Sequence, residues 1–169
     1  HLQRRRQRQM CIRDRTGGAA MQKNLEALGD IQYTQEEIDF ALEMQRNNGK
    51  PKIGIDGKIR SLRETLKSPG GGSTDVGDVS YNVPVVSLNV TTAPKGVPWH
   101  SWSVVASSGM SIGHKGMLYA AKALGMTMVD IFKDSRLRDD IKREFDERIG
   151  EYEYDPFLDP GPPPINYVD

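Results

Sequence analysis

Apolar positions recur at helical spacing in the C-terminal half of the chain. Between residues 111 and 134, five of them follow one another at intervals of three or four: Met117, Ala121, Leu124, Met128 and Ile131. That spacing places side chains on one side of an α-helix and predicts a long helix here. The next helix is predicted over residues 135–149, with an apolar face of Leu137, Ile141 and Phe145. Acid–base pairs on its other faces indicate a solvated surface.

A third helix is predicted nearer to the N-terminus. Thr34 and Glu37 have the spacing of a capping box, in which each side chain satisfies a free amide at the start of a helix. The helix therefore begins at Thr34, and Asn48, Gly49 and Pro51 end it. One of its faces is formed by Ile38, Ala41, Leu42 and Gln45.

One stretch between the helices has the pattern of a strand. The run VPVVSLNV, residues 83–90, is short, apolar and β-branched, which is typical of a buried strand. The Asp56-Gly57 turn indicates either a small hairpin or a loop. Because helices alternate with a buried strand, we expect an α/β fold in which helices cover a sheet.

The composition is that of one ordinary domain. The chain has 169 residues, of which 37% are hydrophobic. It has no run of eighteen apolar residues and no stretch with the order of a signal peptide. A single cysteine, Cys11, cannot form an internal disulfide and fits a reducing compartment, so we expect a cytoplasmic protein.

The two ends of the chain differ from its middle. Residues 1–15 hold six arginines and one aspartate, which would suit a nucleic-acid-binding arm. However, the string MCIRDR resembles translated sequencing-adapter DNA, and no aromatic residue is present for base stacking. We therefore treat residues 1–15 as a non-native or disordered basic segment. Residues 151–169 hold five of the ten prolines and predict an extended tail.

His100 is the strongest candidate for chemistry. Neutral imidazole is the commonest metal ligand near pH 7. His100 lies in a loop between the predicted strand and the long helix, where α/β proteins place functional residues. Trp99 and Trp102 flank it and are placed to exclude water. The alternative is a histidine that only packs.

A glycine-rich turn, GGGSTDVGDVS, precedes the predicted strand. Asp75 and Asp78 are three residues apart and share one face of a helical turn. They would bind a metal, orient a ligand histidine, or stabilise the start of a helix through its dipole. Ser73 or Thr74 is placed to cap the same short helix.

The start of the long helix carries His114 and Lys115. Free amides at a helix N-terminus favour an anionic group, such as a substrate carboxylate. An ordinary first turn with exposed polar side chains is the alternative. HExxH, GxSxG and Walker patterns are absent from the sequence, so it contains no recognisable complete active site.

Two segments, GGGSTDVGDVSYNVPVV and GVPWHSWSVVASSGMSIGHKGMLYAAKAL, resemble the C-terminal part of amidohydrolases of the aminobenzoyl-glutamate hydrolase group. This group lies within the co-catalytic zinc exopeptidases and aminoacylases. The resemblance implies a truncated chain, the C-terminal half of an α/β catalytic domain with helices packed on a mixed sheet. Residues 16–31 would then be a connector from a missing dimerisation domain, and residues 32–150 the second half of the catalytic domain.

The resemblance also implies roles for single residues. It matches His100 to the last histidine ligand of the site, and Ser73-Thr74-Asp75 to the turn before it. Asp78 and His114 belong to the group's pattern, near the substrate or behind the ligands.

The resemblance further implies what the intact parent protein binds. It would hold two divalent ions, zinc or manganese, and would cleave an acyl- or aroyl-amino acid such as p-aminobenzoyl-glutamate. It would be a homo-dimer or hetero-oligomer, and this chain would be inactive alone. Two other hypotheses remain: a non-catalytic α/β binding module with a basic arm for nucleic acid, and a structural α/β module.

Overall fold

The computed structural model describes residues 14–62, 75–155 and 161, and within these ranges the chain is helical. Six helices follow one another: α1 (Arg15–Leu28), α2 (Gln35–Asn47), α3 (Val76–Ser80), α4 (Trp102–Ser108), α5 (Ser111–Lys133) and α6 (Ser135–Ile149). α1 packs against α5 and α6, and α5 also packs against α4 and α6. No helix in these ranges is long and apolar enough to cross a membrane.

The prediction of an α/β fold, with helices packed on a mixed sheet, is wrong. The described residues are 59% helical and include no strand or sheet. Residues 83–90 form no strand, and the carbonyl of Val85 accepts an isolated hydrogen bond from the amide of Asp14 at 3.1 Å. A β-branched run becomes a strand only where neighbouring backbone satisfies its amides and carbonyls. The described residues place no strand beside it.

The segment around Asp56-Gly57 is a loop and not a hairpin. The Asp56 carboxylate accepts a hydrogen bond from the backbone amide of Lys58 at 3.0 Å, which closes a local turn. The carbonyl of Gly57 accepts a hydrogen bond from the amide of Ile31 at 3.0 Å. This loop is therefore tied to the connection between α1 and α2.

The helix ends predicted for α2 are confirmed. The Thr34 hydroxyl accepts a hydrogen bond from the Glu37 amide at 3.3 Å, and the Glu37 carboxylate accepts one from the Thr34 amide at 2.7 Å. These two bonds form the predicted capping box. α1 ends before Gly29, whose φ of 75° suits glycine and whose amide donates to the carbonyl of Leu25.

The predicted helix over residues 135–149 is confirmed as α6. Its Ile141 is buried, and the other two residues of the predicted apolar face, Leu137 and Phe145, are half-buried. Glu144 of α6 accepts hydrogen bonds from the amide and hydroxyl of Thr16 at 2.8 and 2.7 Å. Burial raises the pKa of Glu144, but these and other hydrogen bonds outweigh it and lower the pKa below its ordinary value. A carboxylate of α6 therefore stabilises the start of α1.

A buried glutamine joins α2 to two loops. The side chain of Gln45 donates to the carbonyls of Gly54 and Lys95 at 2.8 and 2.9 Å. It also accepts from the amides of Ile53 and Gly54, both at 2.9 Å. Gln45 is completely buried, and its one side chain satisfies four backbone groups. It therefore holds the loop after α2 and the segment that leads to His100 in place.

The predicted long helix is confirmed as α5, but it buries the face opposite to its regular apolar positions. Met117, Leu124 and Met128 are 59%, 42% and 56% exposed. Asn24 of α1 donates a hydrogen bond to the hydroxyl of Thr127 at 3.0 Å, which joins the two helices. The buried face consists mostly of small residues: Ile112, Gly113, Gly116, Ala123 and Thr127.

Two glycines of α5 give opposite expectations when each is replaced by alanine. A Cβ at Gly116 would collide with the carbonyl oxygen of Thr91 and lie 3.0 Å from Cγ2 of Thr92, whereas a Cβ at Gly125 would meet nothing within 4 Å. We expect Gly116→Ala to lower the free energy of unfolding by about 1–3 kcal/mol through overpacking. Gly125→Ala should raise it by about 0.5–1 kcal/mol, since alanine is the better helix former. Urea denaturation checks both values, and changes of the same sign would contradict the packing described here.

Candidate functional site

His100 lies at the tip of a turn that leads into α4, and its imidazole is exposed. Its φ of 60° falls in the left-handed region, and it is the one non-glycine residue with a positive φ among those described. This conformation costs about 1–2 kcal/mol for a residue with a Cβ atom. Backbone strain of this kind clusters at functional sites. The turn thus presents an exposed histidine whose backbone is strained.

The two tryptophans do not enclose His100. Trp99 is 72% exposed and Trp102 is 59% exposed, so they leave the imidazole open to water, contrary to the expectation from their positions in the sequence. Val105, one turn further along α4, is 73% exposed. The turn and the first turn of α4 therefore present apolar side chains to solvent.

A cavity of about 250 Å³ lies beside the turn that carries His100. Across it, the Arg60 guanidinium pairs with the Asp56 carboxylate at 2.8 Å, and this bond lowers the pKa of Asp56 below its ordinary value. A larger cleft of about 710 Å³ between α1, α5 and α6 contains none of the candidate site residues. The smaller cavity is lined by Asp56, Arg60, residues 90–97, Trp99 and Val104.

Asp75 and Asp78 lie at the start of α3, while Ser73 and Thr74 fall outside the described residues. Asp75 occupies the N-cap position, but its side chain makes no capping hydrogen bond. The Oδ1 atom of Asp78 is buried and has no hydrogen-bond partner among the residues that the structure describes. Buried carboxylate oxygens are normally satisfied. A donor from outside the described residues, a water molecule or a cation would satisfy this atom.

The ring of Tyr81, which follows α3, packs on that of Tyr152 with centroids 4.8 Å apart. Burial raises the pKa of Tyr152, and the nearby carboxylates of Asp155 and Asp78 contribute to the shift. The start of the predicted C-terminal tail is thus anchored beside α3. Residues 156–160 and 162–169 of that tail lie outside the described residues, as do residues 1–13 of the basic segment.

A carboxylate of the chain itself lies beside the start of α5. The Lys115 ammonium lies 2.6 Å from the Glu37 carboxylate and donates to the carbonyl of Gln32 at 2.9 Å. The Ser111 side chain, at the first position of α5, also bonds to Glu37. Glu37 thus pairs with Lys115 beside the start of α5, and His114 is exposed.

Glu37 is buried, and its environment favours the charged form. Burial alone would raise its pKa, but hydrogen bonds from Lys115, Ser111 and the Thr34 amide outweigh it and lower the pKa from 4.5 to about 2. The stabilisation is therefore fully present above the ordinary carboxyl pKa. It is lost as the pH falls toward 2.

We expect Glu37→Gln to change how stability depends on pH. Wild type should lose about 2–3 kcal/mol through this group between pH 5 and pH 2, and the variant should not. The two proteins should differ most near pH 6 and converge on acidification, as urea denaturation at several pH values will show. Glu43→Gln, which removes an exposed carboxylate of the same helix, should keep the wild-type dependence. A Glu37→Gln variant with an unchanged pH dependence would contradict the buried pair.

The candidate residues do not assemble into a complete metal centre within the described ranges. These ranges contain no group of three or more histidine, cysteine, aspartate or glutamate side chains that could hold a metal ion. His100, Asp78 and His114 therefore do not form such a group together. Sequence reasoning missed the Asp56–Arg60 pair beside the cavity, since neither residue belongs to a recognisable motif. For Gln45, which binds two loops, the sequence contained one indication: its position on the same helix face as Ile38, Ala41 and Leu42.

Comparison with known proteins shows that the chain is related to amidohydrolases, which confirms the resemblance seen in the sequence. It is 34% identical, over 155 residues, to a subunit of the p-aminobenzoyl-glutamate hydrolase of Escherichia coli strain K12. The similarity covers 78% of this chain and 32% of that protein, so the chain spans about a third of the length of this relative. No protein-family model matches the chain. No solved structure shows a significant match either.

Proposed function

We propose that this chain forms the His100-bearing part of a metal-dependent amidohydrolase site. The similarity to a hydrolase subunit over 78% of the chain carries the proposal. The strained backbone and the exposure of His100 support it further. The substrate would be an acyl- or aroyl-amino acid, and the name of the relative suggests p-aminobenzoyl-glutamate.

The donor types in the chain fit a site for zinc or manganese. Imidazole and carboxylate are ordinary ligands of both ions. His100 would bind one ion directly, and the unsatisfied Oδ1 of Asp78 would accept a hydrogen bond from a ligand histidine or contact an ion. Two bound divalent ions would activate a water molecule and polarise the amide carbonyl. The cavity beside His100 would receive part of the substrate.

The remaining ligands and the general base would come from sequence outside these 169 residues. We use the name parent chain for the full product of the open reading frame that contains them. The 169-residue chain would be inactive by itself. The relative is named as one subunit of its enzyme, which supports assembly of the parent chain into an oligomer, either of identical copies or with a second protein. The single cysteine supports a place in the cytoplasm.

Metal content and hydrolysis, measured on the parent chain and on the 169-residue chain, test the proposal. We expect about two divalent ions per parent chain and hydrolysis of p-aminobenzoyl-glutamate that stops on chelation and returns with metal. The 169-residue chain should show neither property. Hydrolysis that survives complete removal of metal would sink the proposal. Two tightly held ions on the 169-residue chain would show that its site is complete without other residues.

A further inference from the structure

α5 presents a continuous apolar surface to solvent. Its side chains point away from α1, which contacts the opposite face of the helix. The most exposed of them, Phe132, is 75% exposed. We use the name α5 apolar face for six exposed side chains: Met117, Leu118, Leu124, Met128, Val129 and Phe132.

The α5 apolar face carries no formal charge. At about 100° per residue, its side chains fall within an arc of about 140° around the helix axis. Ala121 and Gly125 lie in the middle of this arc, and His114 lies at its N-terminal end. No aspartate, glutamate, lysine or arginine of α5 falls inside it. An occupant would therefore be apolar rather than a charged partner.

The size of the face argues that it is covered in the working protein. The six side chains expose on the order of 600 Å² of apolar surface, which equals the largest patches of typical monomers and approaches the ~800 Å² that one partner buries in a standard interface. Solvation of so much apolar surface is unfavourable by roughly 25 cal/mol per Å². The small residues in its middle allow a covering element to approach closely.

The length of the relative points to the occupant. The chain covers 32% of the related p-aminobenzoyl-glutamate hydrolase subunit, so two thirds of a protein of that length have no counterpart here. We propose that the α5 apolar face packs against an uncharged, apolar surface supplied by the part of the parent chain outside these 169 residues. This inference rests on the proposed function in one respect, that a longer parent chain exists.

The rate of thiol labelling measures how accessible the α5 apolar face is in the 169-residue chain and in the parent chain. In a Cys11→Ser background, Met128→Cys is made in the 169-residue chain and in the parent chain, and maleimide labelling is followed by the mass of the labelled peptide. We expect labelling in the parent chain to be slower by at least about tenfold, because a packed side chain reacts only on local opening. Glu147→Cys on the exposed side of α6 is the control and should react at equal rates in both proteins.

Equal rates at Met128→Cys in both proteins would overturn the inference, as would a reading frame that encodes no further residues. Slow labelling in the 169-residue chain that becomes faster on dilution would also overturn it, since a second copy would then cover the face. Neither metal content nor activity enters the readout. A parent chain that is inactive but labels slowly at Met128→Cys would therefore contradict only the proposed function. A parent chain that is active but labels as fast as the 169-residue chain would contradict only this inference.

A charged substitution on the α5 apolar face should have opposite effects in the two proteins: it should benefit the 169-residue chain and destabilise the parent chain. Met128→Glu should reduce binding of a hydrophobic dye to the 169-residue chain and increase its solubility, because it breaks an exposed apolar patch. In the parent chain it should lower the melting temperature by several degrees, because the charge would be buried without a partner. A parent chain that tolerates Met128→Glu without loss of stability would contradict the packing.

Discussion

Replacing His100 with glycine in the parent chain is expected to lower kcat/KM for p-aminobenzoyl-glutamate by at least about 100-fold, with reduced metal content. Measured on the metal-free proteins, stability should not fall, whereas bound metal would itself stabilise the wild type. The φ of 60° at this position suits glycine, which adopts it without steric cost, so removing the side chain relieves strain. The free energy of unfolding should therefore stay level or rise by up to about 1 kcal/mol. Loss of chemistry with retained stability is the signature of a ligand.

Glu147→Ala is the control, because Glu147 is exposed on α6 and lies outside the candidate site. Its activity should stay within about threefold of wild type, since surface substitutions away from special features change little. Imidazole added to the His100→Gly variant should restore part of the activity. If His100→Gly works almost as well as wild type, His100 is a structural residue and the proposed ligand role is wrong.

Replacing Gln45 with leucine in the 169-residue chain is expected to lower the free energy of unfolding by about 3 kcal/mol. The substitution removes four hydrogen bonds and leaves the amide of Gly54 and the carbonyl of Lys95 without a partner among the described residues. The amide of Ile53 keeps the carbonyl of Pro51 at 3.0 Å, and the carbonyl of Gly54 keeps the amide of Lys95 at 3.3 Å. Each buried group that loses its partner costs about 1–3 kcal/mol, and relaxation of the loops toward water recovers part of the total. Urea denaturation gives the value directly.

Gln35→Leu on the exposed side of α2 is the control for Gln45→Leu. Gln35 donates only to the carboxylate of Asp39 within the described residues, so its loss should cost less than about 0.5 kcal/mol. Hydrogen exchange of the Gly54 amide should become faster in Gln45→Leu and stay unchanged in Gln35→Leu. Equal stability of the two variants would show that Gln45 does not hold the loops together.

The helices could be predicted from the sequence because their signals are local. The capping box of Thr34 and Glu37 needs only residues three apart, and the spacing in α5 repeats within one element. The end of α1 at Gly29 is likewise decided by one residue that tolerates a positive φ. Local interactions of this kind are complete within a few turns of chain.

The sheet could not be predicted correctly, because a strand depends on what lies beside it. Residues 83–90 have the composition of a strand, but a strand forms only against neighbouring backbone, which can come from anywhere in a chain. Which face of α5 is buried could not be predicted from the sequence either. Periodicity shows that Met117, Leu124 and Met128 share a side, but it does not tell which side of the helix finds a partner.

For the site, the sequence identified the position of His100 in a loop but not its backbone strain or its exposure. The left-handed φ at a histidine has no signature in the residues around it. The pairing of Lys115 with Glu37 could not be foreseen either, because the two residues are 78 positions apart. Long-range pairs of this kind are decided by how helices pack, and one sequence alone does not reveal that.

The most direct test of the ligand role of His100 is anomalous scattering from crystals of the metal-loaded parent chain. Data collected at the absorption edge of the bound metal locate the ions without reference to activity. We predict an ion with an imidazole nitrogen of His100 about 2.0–2.2 Å away. An occupied metal site whose ligands do not include His100 would contradict the proposal.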